Sequence, residues 1–443
     1  MNGIRGFALA FLIALPVAAQ NQQPRRVSLQ EALQLAARQG PDVAAARAQA
    51  RIAHAQVERA WTAWQPDVAA NGSFDHTNGV AVFDFRPLLT ALPQVPPGAF
   101  GPQPLTIVGQ NNWAGNVQIS QPILTPQGLF GPGVAKASAE AADRGADQAR
   151  EQILLSVARA YLALQGYDGL LQAARDAEQV ALRREQDARA RIQAGSDVEI
   201  GLLRAQTETA NARVQISNIL GQQQNLQPLL EALTGENIAP MPFGEAPQMP
   251  LPPDASDNPW EESFAVKSAI AQTSAAQRAV REAEFLWLPQ ISGVARESYT
   301  SNPGFVGKNF TYDLILNASI PIYDRGARFA QQHEDEARLS QAQANLASAR
   351  ARAKADWMGA KANLQAAQAV LDESIAQEQL AARAQVQVEV SARAGVATSL
   401  DLSDADQRKF AAQSSAAQAR TAVEIRKAEI AAAEGRLYEL TSR

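Results

Sequence analysis

The chain contains no cysteine, which excludes a disulfide framework, a thiol nucleophile and an anchor through a lipidated cysteine. Any metal site is left to histidine and carboxylate. The three histidines, His54, His76 and His333, stand far apart without ligand spacing, so no metal and no cofactor is expected. Aromatic residues make up only 6% of a chain that is 46% apolar, a balance that suits alanine-built helices better than a compact aromatic core. The 40 basic and 45 acidic residues are spread without blocks, which argues against nucleic acid and against a polybasic membrane patch. No segment approaches the roughly 20 consecutive apolar residues of a membrane-spanning helix. Neither a Ser/His/Asp nor a paired-carboxylate constellation is visible, so no catalytic residue and no enzyme is expected.

What is present begins with a targeting segment. Arg5, the apolar run Phe7 to Leu15 and the small residues Val17-Ala18-Ala19 predict a secretory signal peptide over 1–19. Ser28 followed by Glu31 predicts a capping box at the first helix, and Gly40-Pro41 its end. A second helix is expected from Asp42 to Ala63, stopped ahead of Gln65-Pro66.

Four segments then alternate with period two, at about 67–77, 112–123, 291–300 and 310–322. The last is the clearest: Phe310, Tyr312, Leu314, Leu316, Ala318 and Ile320 face one way, Thr311, Asp313, Asn317 and Ser319 the other, with Ile315 the exception. In the third, Glu297 falls on the apolar side, a position suited to a rim. Ten-residue strands with one apolar and one polar face, in a secreted chain without apolar helices, point to an outer-membrane β-barrel. Four strands cannot close one, because such barrels start at about eight, so the barrel must be shared by two chains or three. The proline-rich loop 79–110 reads as non-strand and extracellular.

Two stretches, Val134 to Gln193 and Ala327 to Arg393, are uninterrupted helical sequence, rods of roughly 90 to 100 Å at ~1.5 Å per residue. Leu339, Leu346, Trp357, Leu364 and Leu371 keep a seven-residue spacing broken by one eleven-residue step, the pattern of coiled-coil packing. Shorter helices at about 197–233 and 260–286 sum to one rod, as do 397–440 and 42–63, so each long rod is expected against one such pair stacked end to end. The phrase Ala194-Gly195-Ser196-Asp197 recurs 200 residues on as Ala394-Gly395-Val396-Ala397, which marks a duplicated half. The predicted domains are a first repeat over 20–239, a proline-rich linker over 240–259 and a second repeat over 260–443.

With these features in order, the chain resembles the TolC-like outer-membrane efflux proteins over essentially its whole mature length. The carrying segments are Val27-Ser28-Leu29-Gln30-Glu31-Ala32-Leu33 with Gly40-Pro41-Asp42-Val43, then Trp64-Gln65-Pro66 and Leu288-Pro289-Gln290-Ile291, Ile320-Pro321-Ile322-Tyr323-Asp324, and Gly395 through Asp401 to Asp404-Ala405. The fold class is accordingly mainly α with a membrane β-barrel portion. The resemblance implies a homotrimer whose twelve strands form one barrel in the outer-membrane lipid, continuous with a periplasmic helical tunnel. It further implies a periplasmic adaptor (membrane fusion) protein and an inner-membrane RND, ABC or similar pump as partners.

Asp401 and Asp404, three apart near a helix start, share one face and suit the helix dipole, as ordinary N-terminal acids also do. The resemblance assigns them to the pore constriction. At the equivalent offset the first half carries Gly201 and Arg204, a departure from the family pattern, and Arg204 is a candidate closed-state latch toward Asp404 of an adjacent helix pair. Gly195 and Gly395 suit left-handed helix C-termini, and the resemblance makes their turns the adaptor-docking tips. Trp113, Phe310 and Tyr312 are candidates for an interfacial aromatic girdle, or for packing between strands. The chain reads as a passive exit duct of a tripartite efflux or type I secretion system; a secreted coiled-coil scaffold without a channel is the alternative.

Overall fold

The structure, a computed structural model, describes residues 24–84, 105–195, 198–243 and 257–442. The expected signal peptide, Ser196 and Asp197, most of the 79–110 loop and much of the 240–259 linker lie outside the described residues.

The chain runs β1 (Arg25–Val27), α1 (Leu29–Gln39), α2 (Pro41–Trp61), β2 (Asp67–His76), β3 (Ala81–Phe83), β4 (Leu105–Val108), β5 (Asn111–Leu124), α3 (Pro126–Gln193) and α4 (Glu199–Thr234). It continues through β6 (Ile238–Pro240), α5 (Phe264–Glu284), β7 (Gln290–Thr300), β8 (Phe310–Ser319), α6 (Ala327–Arg393), α7 (Ser399–Ala433) and α8 (Leu437–Ser442). The order short helix, two long strands, long helix, return helix thus occurs twice.

Strands β2, β5, β7 and β8 form one antiparallel sheet in that order, leaving β2 and β8 as edges. Register sorts its side chains into two faces. One carries Val68, Ala70, Phe74, Trp113, Val117, Ile119, Ala295, Tyr299, Phe310, Tyr312, Leu314 and Leu316; the other carries Asn71, Ser73, Asn116, Gln118, Arg296, Ser298, Thr311, Asp313 and Asn317. Hydrogen bonds knit the polar face, Arg296 Nη2 to Gln118 Oε1 at 2.7 Å and Asn71 Nδ2 to Asn116 Oδ1 at 3.2 Å. Phe310, Tyr312, Leu314 and Leu316 are all exposed. Among the described residues no helix is long and apolar enough to cross a membrane. The loop read as non-strand carries a short antiparallel pair, β3 with β4, because the prolines of that loop fall between them.

Helix α3 begins at Pro126, eight residues before the expected start. Thr125 caps it, its Oγ1 accepting from Gly128 N at 3.0 Å, and Pro126 occupies the first turn, where its missing N–H costs nothing. At 68 residues α3 is about 100 Å long. It runs antiparallel to four helices, with contacts His54–Asp143 to α2, Glu178–Arg213 to α4, Phe130 to Phe285 at the C-cap of α5, and Arg159–Glu429 to α7. Helix α6 flanks α5 and α7 on their far side, through Phe329 against Trp287 in the turn after α5 and through Glu378–Arg420. The helices therefore form a layer of four columns: α2 with α4, then α3, then α5 with α7, then α6. In α6 the expected heptad stripe is the packing face, Leu364 and Leu371 meeting Val423 while Trp357 Nε1 donates to Glu434.

The stacking differs from the expected one. The end of α4 meets the start of α2: Gly40 lies so close to the Leu233 carbonyl that a Cβ there would stand 2.8 Å from it. The end of α7 meets the start of α5, with Gly435 against the Glu262 carbonyl. Both short helices have 21 residues and both return helices about 35, so length alone fits either pairing. What decides it is a belt of small elements at mid-height. β1 and β6 pair in parallel, and Val27, Leu33, Leu230, Ile238 and Leu437 bury against Leu154, Val157 and Tyr161 of α3. The Tyr161 hydroxyl donates to Val27 O at 2.8 Å and accepts from Met241 N at 3.1 Å, and burial raises its pKa. At the first helix Ser28 accepts from Glu31 N as expected, while the Glu31 carboxylate pairs with Arg25.

Candidate functional site

The layer ends, opposite the sheet, in two reversals. Helix α3 stops at Ala194 and α6 at Ala394; Gly195 and Gly395 follow with φ of 71° and 76°, the left-handed geometry that glycine adopts without strain. The Gly395 and Val396 amides donate to Ala392 O and Ser391 O at 3.1 and 2.9 Å, closing the last turn. Nothing lies within 4 Å of where a Cβ would sit on either glycine, so conformation alone calls for glycine there. Around the turns the apolar side chains Val198, Ile200, Leu203, Val396 and Leu400 are exposed.

The two aspartates start α7 on one side. Asp401 closes a capping box: its amide donates to Thr398 Oγ1 at 3.2 Å, and its Oδ2 accepts from Thr398 N and Oγ1 at 2.8 and 2.7 Å. The Thr398 hydroxyl and amide hold its pKa low. Asp404, one turn on, pairs with Arg408 at 2.8 Å, both exposed. Arg204 is exposed at the start of α4, and the structure does not bring it to Asp404 within one chain.

Contacts that sequence reasoning missed tie the columns together near this end. Arg184 of α3 forms an ion pair with Asp406 of α7, and Gln385 of α6 hydrogen-bonds the same carboxylate. Burial pushes the Asp406 pKa up, against the lowering by Arg184 and Gln385. Ser403 of α7 donates to Glu208 of α4. One sequence offers no sign that position 184 meets position 406.

At the far end the aromatic candidates sit on the apolar face of the sheet. Trp113 contacts Phe74 with ring centroids 4.6 Å apart, and Phe310 contacts Tyr299 at 5.0 Å, so Phe74 and Tyr299 join the expected set. Tyr312 lies beside Glu297, which register puts on this face between Val117 and Tyr312, three residues before the end of β7. Where sheet meets helices, Trp64 donates to Gly128 O, and the Arg328 guanidinium stacks on Trp287 at 3.7 Å. Among the described residues no cluster of His, Asp and Glu could hold a metal ion.

Comparison with known proteins agrees with this geometry. The Campylobacter jejuni CmeC outer membrane channel matches with a TM-score of 0.76 at 16% identity, over 92% of this chain and 85% of that one. The Vibrio cholerae outer membrane protein VceC matches at 0.72 and 18%, over 92% and 96%, and the open-state Neisseria gonorrhoeae MtrE channel at 0.73 and 17%, over 92% and 89%. At these identities the likeness is one of fold. No curated protein matches the sequence. The family model described as outer membrane efflux protein matches residues 32–236 and 257–436, and with most of its length so matched the chain belongs to the outer membrane efflux protein family.

Proposed function

We propose that this chain is one third of a passive exit duct, three copies closing a twelve-stranded barrel over a twelve-column periplasmic tunnel. The observation that carries this reading is the open flank on each side of the molecule. At sheet level the edges are β2 and β8; at helix level the flanks are α2 with α4 and α6, each beneath the corresponding strand edge. Unpaired strand edges and half-covered helices in one chain call for other copies, and unlike edges meeting head to tail generate a closed ring. The two like-ordered halves, 20–239 and 260–443 about a linker at 240–259 and behind a signal peptide at 1–19, then give the tube near-sixfold walls.

In this reading Asp401 and Asp404 ring the narrow end, where low-dielectric walls focus their field. Asp401 contributes as a carboxylate kept ionised by its cap. Arg204 reaches Asp404 of an adjacent copy in the closed state by displacing Arg408. The glycine turns with their exposed apolar rim dock a periplasmic adaptor, and an inner-membrane pump of the RND, ABC or a similar class supplies the energy. The test is outer-membrane fractionation, a heat-modifiable trimer on gels, and conductance of the purified chain in planar bilayers. A soluble monomer without conductance contradicts the proposal. Arg204→Ala tests the latch: resting conductance should rise, and an unchanged closed state sinks it.

A further inference from the structure

Near the tip, α3, α4 and α7 line a half-open cavity of about 400 Å³. It exists because α3 presents Ala174, Ala177 and Ala181 there, side chains too short to fill the space between the neighbouring helices. Its apolar wall is Val180 of α3, Val214 of α4 and Phe410 of α7. Its polar wall has three carboxylates, Asp176, Glu208 and Asp406, against one ammonium, Lys409.

Two of those acids are fixed. Asp406 is held by Arg184 and Gln385 from behind. Glu208 Oε1 accepts from the Ser403 hydroxyl, and among the described residues no protein donor reaches Oε2. A half-buried carboxylate with one unoccupied oxygen, an aromatic ring and aliphatic walls are the parts of a site for a body that is apolar and positively charged. An anion is repelled by the same set.

We infer that this cavity binds a lipophilic organic cation, its charged group on Glu208 and its apolar body against Phe410, Val180 and Val214. The cavity is a property of the single chain; its position beside the tunnel's narrow end rests on the duct reading above.

Rhodamine 6G, an aromatic monocation, and fluorescein, an anion, serve as probes for fluorescence anisotropy with the full chain in nanodiscs, empty nanodiscs providing the baseline. Rhodamine 6G should bind saturably at one site per chain, weaken at least tenfold in Glu208→Gln and comparably in Phe410→Ala, and weaken as salt rises. Fluorescein should stay at baseline. Binding equal to that of empty nanodiscs, equal binding of both dyes, or unchanged affinity in both variants overturns the inference. Planar-bilayer conductance, measured on the same preparation, separates the two proposals: saturable dye binding without conductance leaves the site standing and removes the duct.

Discussion

Helices α3 and α6 are nearly equal in length, 68 and 67 residues, and similarly rich in alanine, yet they live in different surroundings. Nineteen α3 residues are buried and seven α6 residues are, so α3 is an interior column and α6 a flank with one side uncovered. Composition does not separate the two helices; position in the layer does. Met358, Val386 and Val390, more than half exposed, lie on the side of α6 turned away from its Leu364–Leu371 stripe. Those residues are what a neighbouring copy should cover.

The most direct way to sharpen this contrast is to empty the interior of one helix and charge the flank of the other. Leu154 of α3 is fully buried in the mid-height core, and Leu154→Ala should cost about 2–5 kcal/mol, seen as a lower urea midpoint or as loss of folded protein. Met358→Glu with Val386→Glu on α6 should leave the chain folded by circular dichroism while removing the unheated trimer band. A persistent trimer would mean that α6 is not the flank that meets a neighbour.

A smaller effect is expected at the tips. Gly395→Val strains the left-handed turn by about 1–2 kcal/mol without any clash, since the space beyond it is open. Trimer assembly should persist and efflux by the assembled system should fall; unchanged efflux with this variant counts against docking at the turn.

The C-terminal segment offers a pH-dependent contrast. The buried Glu151 of α3 accepts from Leu437 N and Tyr438 N at 2.9 and 3.2 Å, with the Arg150 guanidinium stacked on the Tyr438 ring. Burial raises its pKa to about 7, outweighing the two amides and Arg150, with Glu439 raising it further. Because the docked-state pKa lies above the free value, this contribution is full below about pH 4.5 and is lost as pH rises through about 7. Protection factors at 436–442, which remove the intrinsic pH dependence of amide exchange, should fall as pH rises from about 4.5 to about 7, and Glu151→Gln should flatten that fall. The smallest effect is expected from Asp401→Asn with Asp404→Asn, a drop in cation preference in planar bilayers with little change in stability.

The sequence made the regular parts legible and left the irregular parts hidden, for physical reasons. Alternation from Phe310 to Ser319 and heptads through Leu364 and Leu371 repeat often enough to be read in one chain, and a glycine after an alanine-rich rod marks its end at 195 and 395. Three-residue strands such as β1 and β6 are too short to alternate, so the belt at mid-height was invisible. Without it the choice between two equal-length stackings had no deciding term. The tip aspartates were readable as a pair on one face, but their partners Thr398 and Arg408 depend on rotamers. Arg184, one arginine among several along α3, gains its meaning only from Asp406, more than 200 residues away.

The central claim is that β8 of one copy pairs with β2 of the next until three copies close. The chain has no cysteine, so an engineered pair is unambiguous, and β2 and β8 are opposite edges that cannot meet within one sheet. Asn71→Cys combined in turn with Thr311→Cys, Asp313→Cys and Ile315→Cys should give, for the variant in register, covalent dimers and trimers on a non-reducing gel and nothing larger. Monomer at every position, or a ladder that ends at the dimer, contradicts the account.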